Sequence, residues 1–165
     1  MRRMAVWFIL PGIVVVVGVS GIWLWAAYNS FVALDTRVAE SWAQVDNVLQ
    51  RRADLIPNLV ATVKGYATHE RKVFTDVTNA RAGLQQAQTV EEKAAASTEF
   101  ERALSRLLLV VENYPQLKAS ENFMRLQDEL AGTENRIAVE RMRYNQAVAA
   151  YNRAARGLPG RWIVG

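Results

Sequence analysis

The chain has 165 residues, with 20 lysines and arginines against 16 aspartates and glutamates for a net charge of +4, and no cysteine. That length allows one domain plus an appendage, and the lack of cysteine excludes disulfides, an acylated lipoprotein cysteine and thiolate metal sites. Arg2 and Arg3 contribute two of the basic residues, which leaves 18 basic against 16 acidic side chains. Such a balance argues against a nucleic-acid binder, whose basic residues would cluster on one face.

No charged residue lies between Arg3 and Asp35, and Met4 to Ala27 (MAVWFILPGIVVVVGVSGIWLWAA) is almost wholly apolar. About 20 apolar residues cross a bilayer core as helix, so the run is long enough to span. A cleaved signal peptide is the rival reading, but its apolar core is shorter and ends in a small-x-small site. The pairs here are Leu24 with Ala26, Trp25 with Ala27 and Tyr28 with Ser30. None fits, and Trp23, Trp25 and Tyr28 suit an interfacial aromatic belt. The expectation is a retained single-pass anchor over residues 4–28, in contact with membrane lipid, after a basic tail of residues 1–3. Arg2 and Arg3 precede the span, whereas only Arg37 follows closely. The positive-inside bias therefore predicts a cytoplasmic N-terminus with the remainder outside.

Beyond the span, apolar residues fall into two columns. One is Val38, Val45, Arg52, Leu59, Tyr66, Val73, Ala80; the other is Trp42, Leu49, Ile56, Val63, Glu70, Val77, Leu84. Alternating spacings of three and four predict one long helix over 31–84 with a coiled-coil-like seam. The segment RRADLIPNLV (51–60) interrupts it with Arg51, Arg52, Asp54 and Pro57. Because Leu59, Val63 and Tyr66 stay in phase with Val38, Trp42 and Val45, Pro57 is expected to kink the helix and not to stop it. A break at Pro57 would instead give a bundle of four helices. Proline also leaves a carbonyl unpaired one turn earlier, near Ala53. Arg51, Asp54 and Asn58 could dress that kink as a recognition patch.

The pattern lapses around Gly83 to Thr89, and Thr89-Val90-Glu91-Glu92 has the form of a capping box that opens a second helix. Its seam is Phe100, Leu104, Leu107, Val111 and Tyr114, ended by Tyr114-Pro115 because the residue before proline is pushed out of helical geometry. A last helix is predicted from near Ser120, with Phe123, Leu130, Ile137, Tyr144 and Tyr151 seven apart and Leu126, Thr133, Ala147 and Ala154 between them. Gly157 and Pro159 end it, leaving a tail over 158–165 that contains RWIVG and is expected to fray. No strand-like alternation of useful length appears. The fold class is all-α: a transmembrane helix followed by an antiparallel helical bundle with one very long, Pro-kinked helix.

The chemistry-bearing residues are sparse. His69-Glu70 reads HERKV, without the second histidine that a zincin helix needs. A di-iron bundle needs Glu-x-x-His twice. There is no cysteine nucleophile and no Gly-rich phosphate loop, and Glu91-Glu92 and Asp128-Glu129 read as solvated surface. No metal, cofactor or catalytic residue is therefore expected. Arg52 and Glu70 stand apart because they occupy seam positions, where a buried charge needs a partner. They lie 18 residues apart, about 27 Å along a helix. Partners must then come from other helices, with Glu112, Glu134 and Arg136 the candidates. Tyr-Asn recurs at Tyr28-Asn29, Tyr144-Asn145 and Tyr151-Asn152. Buried tyrosine and asparagine usually find partners, so these pairs could weld helix to helix or chain to chain.

Three segments together resemble the LemA family of small bacterial membrane-anchored proteins: YNSFVALDTRVAESWAQVDNVLQRRADLIPNLVATVKGYATHE, VTNAR, and ENYPQLKASENFMRLQDELAGTENRIAVERMRYNQAVAAYN. They cover nearly the whole chain after the span, in order. The resemblance implies a transmembrane helix followed by a LemA-like helical-bundle domain, residues 29–157, and no established enzymatic activity, cofactor or substrate. The positions that match its motif are Arg51, Arg52, Asp54, Pro57, Asn58, Lys64, Tyr66, His69 and Glu70 on the first helix. Glu112, Tyr114, Pro115, Glu121, Asn122 and Phe123 follow at the second corner, then Glu134, Asn135, Arg136, Tyr144, Asn145, Tyr151 and Asn152 on the last helix. The leading reading is a non-enzymatic scaffold of the bacterial envelope that homo-oligomerises through its long helices. The alternative is a membrane-tethered adaptor that recruits or regulates a membrane-protein partner such as a protease. Metal or small-ligand binding in the bundle core comes third.

Overall fold

In a computed structural model of the chain, residues 2–163 are described, with side chains from 12 to 161. The side chains of residues 2–11, among them Arg2 and Arg3 on which the orientation rests, and those of Trp162 and Ile163 lie outside that set, as do Met1, Val164 and Gly165 altogether. All described elements are helical. Helix α1 (Arg2–Lys64) is followed by α2 (Arg71–Gln86), α3 (Val90–Val111), the short α4 (Pro115–Lys118), α5 (Glu121–Arg156) and the short α6 (Gly160–Ile163). The chain divides into two compact units: Met1–Ser41 with Arg143–Gly165, and Trp42–Met142.

The second unit contains a four-helix core. Ile56, Leu59 and Val63 of α1 pack with Phe74 and Val77 of α2, Phe100, Leu104 and Leu107 of α3, and Phe123 and Leu130 of α5. Arg81 of α2 bonds to Ala53 of α1, while Lys64 of α1 lies over the Phe74 ring. Those two contacts make α2 run back along α1. In the same way, Ser97 meets Arg141, and Arg52 bridges Glu101 and Glu134, so α3 and α5 run in opposite directions. Many buried positions are those expected from period, Val45, Leu49, Ile56, Leu59 and Val63 on α1, then Phe100, Leu104, Leu107 and Val111 on α3, but Tyr66 of the expected seam is 45% exposed, and Ala53, Val60 and Phe74 are buried outside it. Phe123, Leu126, Leu130, Thr133, Ile137 and Ala147 keep the expected period on α5.

One expectation is corrected. The helix predicted over 31–84 runs through Pro57 but ends at Lys64, and residues 65–70 form a turn before α2 starts. Tyr66 and Ala67 both donate to Val63 O in that turn, and Ala67 is buried. Gly65, a poor helix former, stands at the point of departure. Phase continuity misled because each helix needs only its own apolar stripe, and six intervening residues happened to preserve the count of sevens. The bundle therefore has four long helical segments, with the break at 65–70 and not at Pro57.

Thr89 caps α3: its hydroxyl accepts from Glu92 N at 3.1 Å, and the Glu92 carboxylate accepts from the amides of Gln88 and Thr89. Those amide bonds hold Glu92 below its ordinary value of 4.5. A lowered carboxyl pKa adds stability above the unfolded value, and the gain is lost as pH falls through the folded one. Thr89→Ala is expected to cost about 1 kcal/mol in urea unfolding. The penalty should shrink as pH falls through that lowered folded value, where protonated Glu92 no longer completes the box.

At the second corner α3 stops at Val111, three residues before the predicted Tyr114, and Pro115 opens α4 at its first position, where a missing N–H is harmless. Leu117 of α4 is fully buried. Ser120 Oγ then accepts from Phe123 N at 3.3 Å, at the predicted start of the last helix.

The first unit combines the apolar half of α1 with the end of α5. Phe31 is buried, and its ring meets that of Tyr151 edge-on at 6.4 Å between centroids. Within the tail, residues 160–163 form α6 where fraying was expected, and Arg161 N donates to Gly157 O as that helix begins. Gly160 is buried at this bend, and a side chain there would collide with Ala154 O and the tip of Phe31.

Candidate functional site

The segment RRADLIPNLV is built around the gap that Pro57 leaves in the backbone ladder. Pro57 carries no N–H, so Ala53 O has no helical donor from it. Arg81 of α2 supplies one: its Nε donates to Ala53 O at 2.8 Å, and its Nη2 lies 3.6 Å from Asp54 Oδ1. Gln50 Nε2 holds the same Asp54 oxygen at 3.0 Å. Asp54 and Arg81 thus fasten α2 to α1 across the proline turn. Arg51, Pro57 and Asn58 are exposed on the outer face of α1.

Arg52, its neighbour in sequence, points the other way and is only 3% exposed. Its Nη2 reaches Glu101 Oε2 at 2.9 Å and Glu134 Oε2 at 3.4 Å, and its Nη1 donates to Leu130 O at 3.3 Å. Nε has no partner. One guanidinium therefore joins α1, α3 and α5. Burial pushes the Glu101 carboxyl above its ordinary value, against the opposing pull of Arg52, and Glu134 adds a further upward push. Nearby, Arg141 Nη2 donates to the hydroxyl of the buried Ser97, which itself donates to Ala94 O.

Of the predicted partners for the seam charges, Glu134 reaches Arg52. Glu112 instead pairs with Lys118 at 2.6 Å beside α4, and Arg136 is exposed. Glu70 is corrected as well. It sits in the turn before α2 as a half-buried residue whose side chain makes no capping bond, so it is not a buried seam charge. His69 is exposed in the same turn. Among the described residues, no three His, Cys, Asp or Glu side chains come together.

The two corner motifs share one small cavity of about 310 Å³, lined by Tyr66 from the first and Asn113, Tyr114, Pro115 and Gln116 from the second. Lys64, just before the first corner, stands 5.4 Å over the Phe74 ring. Phe123 is buried in the core, while Glu121, Asn122 and Asn135 are exposed. In the first unit Tyr144 and Tyr151 are half-buried, and Asn145 and Asn152 are exposed beside them. The motif residues thus form several structural contacts, not one convergent centre.

Sequence reasoning missed Arg81, Glu101, Ser97 and Arg141. Ser97 carried a signal, since it lies three residues before Phe100 on the seam of α3. Arg81 carried a weaker one inside VTNAR: the orphan carbonyl was foreseeable, but which of many polar side chains would meet it depends on how α2 folds back.

Among curated proteins, the chain is 26% identical over 151 residues to the magnetosome proteins MamQ 1 and MamQ 2 of Paramagnetospirillum magneticum, and 25% identical to magnetosome protein MamQ of Magnetospirillum gryphiswaldense. The aligned region covers 76% of this chain and 56% of each of those proteins, so the chain spans little more than half their length. Residues 41–165, which hold the proline turn, the Arg52 bridge and both corner motifs, match the LemA family throughout, and the chain belongs to that family.

Proposed function

We propose that this protein is a membrane-anchored, non-enzymatic scaffold of the bacterial envelope that self-associates through its long helices. The observation that carries the reading is the apolar run of α1. From Gly12 to Ser30 every side chain but the half-buried Ala27 is exposed, Ile13, Val14, Val16, Trp23 and Trp25 among them. A surface that apolar on all sides needs hydrocarbon or other chains around it. It is the one helix among the described residues long and apolar enough to cross a membrane. The LemA membership and the likeness to magnetosome proteins support a membrane association. The predicted orientation, N-terminus inside and bundle outside, belongs to this reading, as does assembly with other copies. Exposed apolar side chains away from the span, Leu109 at 67% and Met142 at 53%, favour such contacts.

Mass photometry of the full-length protein in nanodiscs tests the proposal. Discrete masses of several copies per particle are expected, and strict monomers at all concentrations would overturn it. The second reading is a membrane-tethered adaptor for a partner membrane protein, favoured by the cavity that joins Tyr66 to Tyr114 and Pro115. Photo-crosslinking from position 116 that captured a defined membrane protein, in a monomeric background, would favour it.

A further inference from the structure

Three arginines converge on one cleft of about 470 Å³ in the second unit: Arg102 and Arg106 from α3 and Arg141 from α5. Arg102 and Arg106 are four residues apart on one face of a helix, a like-charge spacing that is unfavourable unless something anionic lies between. The structure provides little neutralisation there. Arg106 has Asp76 Oδ2 at 3.9 Å, beyond hydrogen-bond reach, and Arg102 has only the exposed i,i+3 contact with Glu99 at 3.3 Å. Arg141 gives an N–H to the Ser97 hydroxyl. Glu101 is the one carboxylate in the cleft wall; its Oε2 is engaged by Arg52, and its charge is shared between Arg52 and Arg141. Ser105 adds a hydroxyl to the polar lining, whereas the hydroxyls of Ser97 and Thr98 both donate to Ala94 O.

Adjoining it is a second cleft of about 280 Å³, which shares Ser97, Thr98 and Arg141 with the first and is otherwise lined by Trp42, Val45, Leu49 and Ala94. The residues particular to the first cleft are therefore mainly cationic, and those particular to the second are aromatic and aliphatic. Guanidinium forks match phosphate and carboxylate oxygens, and an indole with aliphatic neighbours suits a hydrocarbon or aromatic body. We infer that these two adjoining clefts together bind an amphiphilic oxyanion, a phosphate- or carboxylate-headed molecule whose head meets Arg102, Arg106 and Arg141 and whose apolar body passes over the shared residues onto Trp42. This site is independent of the scaffold reading, since it would fill in a monomer as well as in an assembly.

The test uses full-length protein in phosphatidylcholine nanodiscs, titrated by calorimetry with hexyl phosphate, inorganic phosphate and hexanol. Hexyl phosphate is expected to bind saturably and about tenfold more tightly than inorganic phosphate, with no saturable binding of hexanol. The R102Q/R106Q variant, altered only at exposed side chains, should lose at least about tenfold, the equivalent of one charge-assisted contact. Trp42→Phe should weaken hexyl phosphate while leaving inorganic phosphate unchanged. Absence of saturable hexyl phosphate binding, or equal affinity in the folded R102Q/R106Q variant, would overturn the inference. Repeating the titration in phosphatidylglycerol nanodiscs separates the sources of the oxyanion. Competition by the bilayer would assign a lipid headgroup, and unchanged affinity a water-soluble ligand.

Discussion

Arg52→Ala is expected to destabilise the protein by about 3 kcal/mol in urea unfolding, whereas Arg52→Met should cost only about 1 kcal/mol. The alanine variant leaves a void where a nearly fully buried side chain stood and removes the Nη1 donor from Leu130 O. Methionine keeps most of the volume. The two acids are more exposed than the arginine, at 37% for Glu101 and 71% for Glu134, so solvent screens these ion pairs and their loss costs less than the loss of packing. Packing is thus expected to outweigh the ion pairs, and equal losses in both variants would show the reverse.

The same substitution has a pH signature. Burial already raises the Glu101 carboxyl, and Arg52 is the main group that opposes the rise. A carboxyl raised in the folded state gives stability that is full below its unfolded value and lost as pH rises through its folded value. Removing Arg52 should raise it further and widen that window above pH 4.5. The deficit of Arg52→Ala should therefore be largest near neutral pH and smaller at mildly acid pH. A deficit that did not change with pH would assign the whole effect to the cavity.

Arg81→Ala is expected to cost about 2 kcal/mol, because it strips the donor from Ala53 O, a carbonyl on a fully buried residue. In a Pro57→Ala background the same change should cost less than half as much, since alanine 57 restores an N–H to that carbonyl. The double-mutant cycle should show a coupling on the order of 1 kcal/mol. Additive losses would mean that Arg81 acts through Asp54 or through packing alone.

What sequence alone determined is local and periodic. The apolar run of α1, the capping box at Thr89, the stop around Tyr114-Pro115, the start of α5 and the buried stripes of α3 and α5 all follow from spacing, caps and proline geometry. Each depends on residues within one or two turns of each other. The orphan carbonyl near Ala53 was legible for the same reason, as a property of Pro57 and its own helix.

Tertiary structure decided everything that joins distant segments. A six-residue turn at 65–70 was invisible to a heptad count because α1 and α2 keep the same phase on either side of it. Arg52 needed some acid, but Glu101 and Glu134 come within reach only when α3 and α5 pack at that level. Arg81 meets Ala53 only because α2 folds back at Lys64. The arginine cleft likewise exists because Arg141, far along α5, packs at Ser97 and lines the same cleft as Arg102 and Arg106. Periodicity specifies which face of each helix is buried; which side chains meet across the buried faces depends on where the turns fall and how the helices align.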